Sequence, residues 1–206
     1  MLGTIIWGLT DVLIPGLHAH DTPADSTMRA VGDVILERLV VDDLGELYTA
    51  EMSEQEFCRR ILDRAGWPTD VEHMQTAIRR HFRQSIPGTA EILAELAGKY
   101  RLILLADHAR EWIDDIRKVH RDLLSAFERS FFSFDLRQTK AEPSSLRRVL
   151  DQIVAEPTDC LLIDANPTVI SVAKNIGMDA ILFRNASQLA QKLAARGIGE
   201  KTTNTK

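Results

Sequence analysis

Apolar residues along this chain fall into two patterns. Unbroken runs occur at "GTIIWGL" (3–9), "RLILLAD" (101–107) and "DCLLIDA" (159–165), with a shorter fourth at "DAILF" (179–183). A run with no polar alternation predicts a strand covered on both faces, which is the habit of a parallel sheet. Between and after these runs, apolar residues recur three and four apart. "TAEILAELAGKY" (89–100) places Ile92, Leu93 and Leu96 on one face, and "PSSLRRVLDQIVAE" (143–156) does so with Leu146, Val149, Leu150 and Ile153. "NPTVISVAKNIGM" (166–178) opens on Asn-Pro and has Gly177 as its stop, and "ASQLAQKLAARG" (186–197) is the last helical stretch. Strands alternating with helices predict an α/β fold: a Rossmann-like parallel sheet sandwiched by helices.

Residues 24–85 break this alternation. "VGDVILERLV" (31–40), "SEQEFCRRILDRAG" (53–66) and "TDVEHMQTAIRRHFRQSI" (69–86) are helical runs, the second opening with a capping box from Ser53 to Glu56. An insert directly after the first strand lies beside the carboxyl ends of the strands, where open parallel sheets bind ligands. It therefore reads as a cap. The expected organisation is a core of residues 1–16 and 87–199, a helical cap over 17–86, and a polar tail over 200–206.

Composition narrows the class of function. The chain has 206 residues, 45% hydrophobic and 27% charged, with a net charge of −5 and both signs interspersed. No basic face invites nucleic acid. Cys58 and Cys160 are far apart in sequence and read as buried reduced thiols. The apolar N-terminus lacks a basic region and contains Asp11, and no run reaches the ~20 apolar residues of a membrane span. A cytoplasmic protein with no membrane or nucleic-acid partner is expected.

Four blocks carry candidate chemistry: "GLTDVL" (8–13) ending the first strand, "LLADH" (104–108) ending the second, "TKAEPSSL" (139–146), and "LLIDANPTVISVAKNIGM" (161–178). In this order they resemble the haloacid dehalogenase superfamily, in its subgroup of small phosphatase-like proteins with a helical cap. The likeness spans residues 4 to about 197. It implies a nucleophilic aspartate at position 8, an acid/base aspartate at 10, a phosphate-binding hydroxyl at 106, a lysine at 140, and magnesium-binding acids at 164 and 165. This chain has Gly8, Thr10, Ala106, Lys140, Asp164 and Ala165 there, with Asp11 in the turn and Asp107 after the second strand.

These replacements remove the aspartyl route. Glycine offers no atom for a covalent intermediate. Losing a nucleophile that acts within a unit costs on the order of a millionfold in rate. Magnesium takes about six hard oxygen ligands, and Gly8 and Ala165 supply no side-chain oxygen, so no cofactor is expected. Asp11 reads as a turn residue, since aspartate tolerates left-handed backbone. Asp107 and His108 form either an acid/base pair or a helix cap with a neighbour, and Lys140 with Asp164 either an ion pair or a remnant anion site. His18, His20 and Asp21 read as a solvated loop; His73, His81 and His120 read as surface or interface residues. The leading expectation is a catalytically degenerate binding, regulatory or structural protein whose partner is a small anion or a protein. Its competitor is an active hydrolase with a rearranged site. Two carboxylates converging beside Lys140 favour the hydrolase; a pocket filled by Trp7 favours the interaction protein. An exposed apolar cap face would support a homodimer.

Overall fold

A computed structural model describes residues 2–17, 41–66 and 68–199 of the chain. The expected helix at 31–40, His18, His20, Asp21 and the tail over 200–206 lie outside these described residues. In chain order the elements are β1 (Thr4–Trp7), α1 (Val41–Tyr48), α2 (Glu54–Ala65), α3 (Val71–His81), α4 (Thr89–Leu96), β2 (Arg101–Ala106), α5 (Arg110–Val119) and α6 (Arg121–Leu124). There follow β3 (Arg129–Phe132), α7 (Ser133–Leu136), α8 (Pro143–Ile153), β4 (Cys160–Asp164), α9 (Pro167–Asn175), β5 (Asp179–Leu182) and α10 (Ala186–Ala194).

Among the described residues the strands form one sheet in the order β3-β2-β1-β4-β5, every neighbouring pair parallel. Residues alternate between its two faces, as the two-residue period of a strand requires. Ile5, Trp7, Leu102, Leu104, Leu161 and Ile163 enter one apolar cluster. Ile6, Ile103, Leu105, Cys160 and Leu162 enter the other. Helices α8 and α9 cover the second face through Leu146, Val149, Leu150, Ile153, Val169 and Ile170. The first cluster also contains Leu47, Phe57, Ile61, Met74, Ile78 and Phe82 from the helical stretch after β1. That stretch and the sheet therefore share one continuous core. Each such side chain, fully buried, contributes roughly 1.5–3 kcal/mol.

Strand β3 is absent from the expectation above. It is a short edge strand with Arg129 and Ser130 exposed and Phe131 and Phe132 buried, so it never presents an unbroken apolar run. The helices begin where capping chemistry places them. Ser53 Oγ accepts the Glu56 N–H at 3.2 Å, opening α2, and Asp70 Oδ1 accepts the His73 N–H at 2.7 Å, opening α3. Gly177, at φ +88°, ends the α9 region in the left-handed conformation.

Polar ties hold the helical stretch to the core. Glu54, 2% exposed, accepts from Trp112 Nε1 of α5 at 2.7 Å and from Gln75 of α3 at 3.1 Å, and pairs with Arg79. Burial raises the Glu54 pKa, while Trp112 and Arg79 oppose that rise. His81 and His120, expected as surface or interface residues, are buried inside the chain. His81 Nε2 lies 2.8 Å from the Gly16 carbonyl and His120 Nε2 lies 2.7 Å from the Phe82 carbonyl, both bridging distant segments. His73 is exposed. The large exposed hydrophobics among the described residues are Val119, which ends α5, and Val154, just past α8. No helix of the described residues is long and apolar enough to cross a membrane.

Candidate functional site

The parallel register carries the ends of β1, β2 and β4 to one edge of the sheet, with Trp7 beside both Leu104 and Ile163. Gly8 extends β1 by donating its N–H to the Ile163 carbonyl at 2.8 Å. The chain then turns sharply. The amides of Val12, Leu13 and Ile14 all point to the Leu9 carbonyl, and Asp11 sits at φ +58°. Asp11 Oδ1 accepts the Gly16 N–H at 2.7 Å, and a Cβ on Gly16 would lie 2.6 Å from Asp11 Oδ2. The carboxylate thus folds over the turn and requires glycine opposite it.

Lys140 and Asp164 meet beneath this turn. Lys140 Nζ is 2.7 Å from Asp164 Oδ2, with the two residues 5% and 1% exposed. The second oxygen, Oδ1, accepts the Asn166 N–H at 2.9 Å. Burial pulls the Lys140 pKa down, and the carboxylates of Asp164 and Asp107 more than reverse this, leaving it raised. A Cβ built on Gly8 would fall 2.6 Å from Asp164 Oδ2. Asp164 therefore leans across the space a side chain at position 8 would need. Asp107 Oδ1 accepts the Lys140 backbone N–H at 2.9 Å. Burial, partly countered by Lys140, pushes the Asp107 carboxyl up to about 6.

A cavity of about 300 Å³ opens at this edge. Thr10, Asp11, Asp107, Lys140, Asp164 and Ala165 all line it. Gly8 and Ala106 do not; Gly8 lies beneath Asp164 and Ala106 is fully buried in the sheet. Trp7 is also in the core and does not fill the cavity. The sequence reading missed Leu17, Leu44, Tyr48, Asn166 and Pro167, which also line it. Asn166 carried a signal, because an Asn-Pro start marks a helix N-terminus and β4 delivers that terminus to the sheet edge. Leu44 and Tyr48 carried none, since their position depends on how α1 docks.

The two alternatives for Asp107 and His108 are both corrected. Helix α5 has Ala109 at its N-cap with no side-chain cap, and Asp107 instead binds Lys140. His108, 1% exposed, turns away into a box of Tyr48, Phe82 and Trp112, with ring centroids 6.2, 4.8 and 5.5 Å distant. Neither ring nitrogen has a hydrogen-bond partner among the described residues. Burial, aided by Lys140, drives its pKa down to about 3, so it is neutral at pH 7 and is no acid/base partner of Asp107. Of the two alternatives for Lys140 and Asp164, the ion pair is present.

A five-stranded parallel sheet, a helical insertion after its first strand and four blocks converging at one edge define a haloacid-dehalogenase-like α/β fold. The chain is similar to a predicted HAD-like hydrolase of Porphyromonas gingivalis, with a TM-score of 0.74 and 17% identity over 95% of this chain and 98% of that one. A HAD-family enzyme of Bacteroides thetaiotaomicron, solved with magnesium and inorganic phosphate, gives a TM-score of 0.70 at 17% identity, covering 90% and 96% of the two chains. The L-2-haloacid dehalogenase of Xanthobacter autotrophicus, with chloropropionic acid covalently bound, gives 0.68 at 17%, covering 96% and 84%. In sequence, the chain is 30% identical over 134 residues to a chloroplast flavin mononucleotide hydrolase of Arabidopsis thaliana, covering 65% of this chain. It spans about half that relative's length, 54%. No family model matches the sequence.

These relatives correct the expectation that no cofactor belongs to this site: structures of the same fold were solved with magnesium, with and without phosphate. The donors in this chain are differently committed. Both Asp164 oxygens are engaged, by Lys140 and by Asn166, and among the described residues no group of three or more His, Cys, Asp or Glu side chains is arranged to hold a metal. The described residues do not fit the ion.

Proposed function

We propose that this chain is a haloacid-dehalogenase-like protein that binds a small molecule at the strand ends and does not work through an aspartyl intermediate. The observation that carries this reading is the mutual exclusion of Gly8 and Asp164: the first-strand position has no nucleophile, and the Asp164 carboxylate, held by Lys140, leans over it. Thr10 and Ala106 add no acid and no phosphate-binding hydroxyl at the other two positions. The cavity itself persists, lined by apolar side chains and a few polar groups, which is the make-up of a ligand site.

A second reading, a hydrolase with a rearranged site, has its own observation. Asp11, Asp107 and Asp164 line one cavity beside Lys140, and an Asp107 carboxyl near pH 6 is in the range useful to a general acid. The Arabidopsis thaliana relative is a flavin mononucleotide hydrolase. Incubation with flavin mononucleotide and a panel of phosphomonoesters and 2-haloacids, each with and without magnesium, separates the two. The binding reading expects release of phosphate and halide at the level of the buffer blank. Enzyme-dependent release that disappears in the Asp107→Asn or Asp164→Asn variant establishes the rearranged hydrolase instead.

A further inference from the structure

Three histidines meet where the chain crosses between the sheet and its helical insert. The chain leaves the sheet past Gly16 and returns through Phe82, and a buried imidazole holds each crossing. His81 of α3 reaches the Gly16 carbonyl at 2.8 Å, and His120, just past α5, reaches the Phe82 carbonyl at 2.7 Å. The Phe82 ring lies against both His81 and His108, with centroids 5.8 and 4.8 Å distant. His108 also meets Tyr48 of α1 and Trp112 of α5, and its backbone N–H is given to Ser133 Oγ at 3.1 Å. It therefore joins α1, the return crossing, α5 and α7. What it lacks is a partner for its ring: both nitrogens are buried without a hydrogen bond among the described residues. A neutral imidazole leaves one donor and one acceptor unmet there; an imidazolium leaves two donors and a charge.

We propose that protonation of His108 releases Tyr48 and the return crossing at Phe82 from the sheet, so that the cavity loses the α1 side of its wall on acidification while the sheet stays folded. The ionisable groups around the box do not receive the imidazolium. Lys140 repels it. Asp107, its chain neighbour, gives Oδ1 to the Lys140 amide, and Glu54 of α2 is committed to Trp112, Gln75 and Arg79. Asp115 of α5 pairs with Arg79, Asp135 of α7 pairs with Arg110, and burial keeps the Tyr48 phenol neutral. Burial and Lys140 hold the imidazole down to about 3 in the closed form, against the ordinary 6.5 once it is exposed. A folded-state pKa lowered in this way favours the closed form above pH 6.5, and that advantage is lost as the pH falls toward 3. From this residue alone, opening becomes roughly 100-fold more frequent between pH 7.5 and pH 4.5. Asp107, with its carboxyl lifted to about 6, acts in the opposite sense over the same interval. The effect of His108 is therefore read as a difference between proteins that all keep Asp107.

Hydrogen exchange of the whole chain at pH 7.5 and pH 4.5, corrected for the intrinsic rate at each pH, tests this against His108→Phe, which places a ring that cannot titrate in the same aromatic box. The ratio of wild-type to variant exchange in α1 and in residues 82–86 is expected to rise at least 30-fold from pH 7.5 to pH 4.5 and to return when the pH is restored. The same ratio for amides of β1 and β4 is expected to change less than threefold. His108→Gln, polar and equally unable to titrate, serves if the first variant does not fold. A ratio in α1 and 82–86 that is the same at both pH values would overturn the proposal, the aromatic rings then carrying the imidazolium by cation–π attraction. An equal rise in β1 and β4 would overturn it as well, because His108 would then act on global unfolding alone.

Discussion

A Cβ on Gly8 would lie 2.6 Å from Asp164 Oδ2, well inside van der Waals contact, and that oxygen cannot swing aside cheaply because Lys140 and Asn166 hold the carboxylate from two directions. Gly8→Ala is therefore expected to lower the unfolding free energy by about 2 kcal/mol, as overpacking does in a filled interior. Urea denaturation measures it. In a Lys140→Met/Asp164→Ala background the same substitution should cost less than about 0.5 kcal/mol, because its clash partner is gone. That Thr10, Asp11, Asp107, Lys140, Asp164 and Ala165 would gather at one place was legible in the sequence from the order of the four blocks. What the sequence could not show is where the surviving side chains turn. Asp107 and His108 are neighbours, yet one binds Lys140 at the cavity edge and the other is buried against Phe82 and Trp112. Rotamer choice and packing, invisible to spacing, decide that.

Elements were legible in proportion to how completely they are buried. Strands β1, β2, β4 and β5 sit where the apolar runs placed them, within a residue or two of the expected ends. β3 was missed because half of it faces solvent. The helical stretch after β1 was legible as helix, but its docking was not. Glu54 joins α2 to α5 and α3 through Trp112, Arg79 and Gln75, although nothing in a capping-box sequence marks its first helical residue as an inter-element tie. Glu54→Ala strands the Trp112 N–H in a buried seam and takes from Arg79 one of its two carboxylate partners, leaving Asp115. A loss of about 2 kcal/mol is expected, since an unpaired buried donor carries its full desolvation cost. Hydrogen exchange checks it: amides of α2, α3 and α5 should lose protection together, while those of α8 and α9 on the opposite face change only with global stability.

Titration is a property of the whole chain, because every carboxylate contributes to how stability varies with pH. Asp107 acts in the less common direction. Burial lifts its carboxyl from 3.8 to about 6 in the folded protein, so its contribution is fully present below pH 4 and is lost as pH rises through 6. Glu128 and Asp179 act oppositely: Arg101 and Arg196 depress their pKa values, so what they add is present above their unfolded values of 4.5 and 3.8 and is lost on acidification. Asp107→Asn removes one titration from this sum. The unfolding free energy of the wild type minus that of the variant is expected to fall by about 2 kcal/mol between pH 4 and pH 7, a magnitude already reduced for the partial exposure of Asp107 to the cavity. Chemical denaturation across that interval measures the difference. A flat difference would mean that Asp107 titrates like an exposed carboxylate.

The contact of Gly8 with Asp164 also bears on ancestry. In the genetic code a glycine codon becomes an aspartate codon by one base change, so an enzyme that had merely lost its nucleophile would stand one mutation from recovering it. This chain does not stand there. An aspartate at position 8 arrives in space that Asp164 has taken, and clearing Asp164 first leaves the buried Lys140 ammonium without its partner. Either order of steps passes through a weakened protein. On the proposed non-catalytic reading, the packing of this one carboxylate makes such a loss a ratchet.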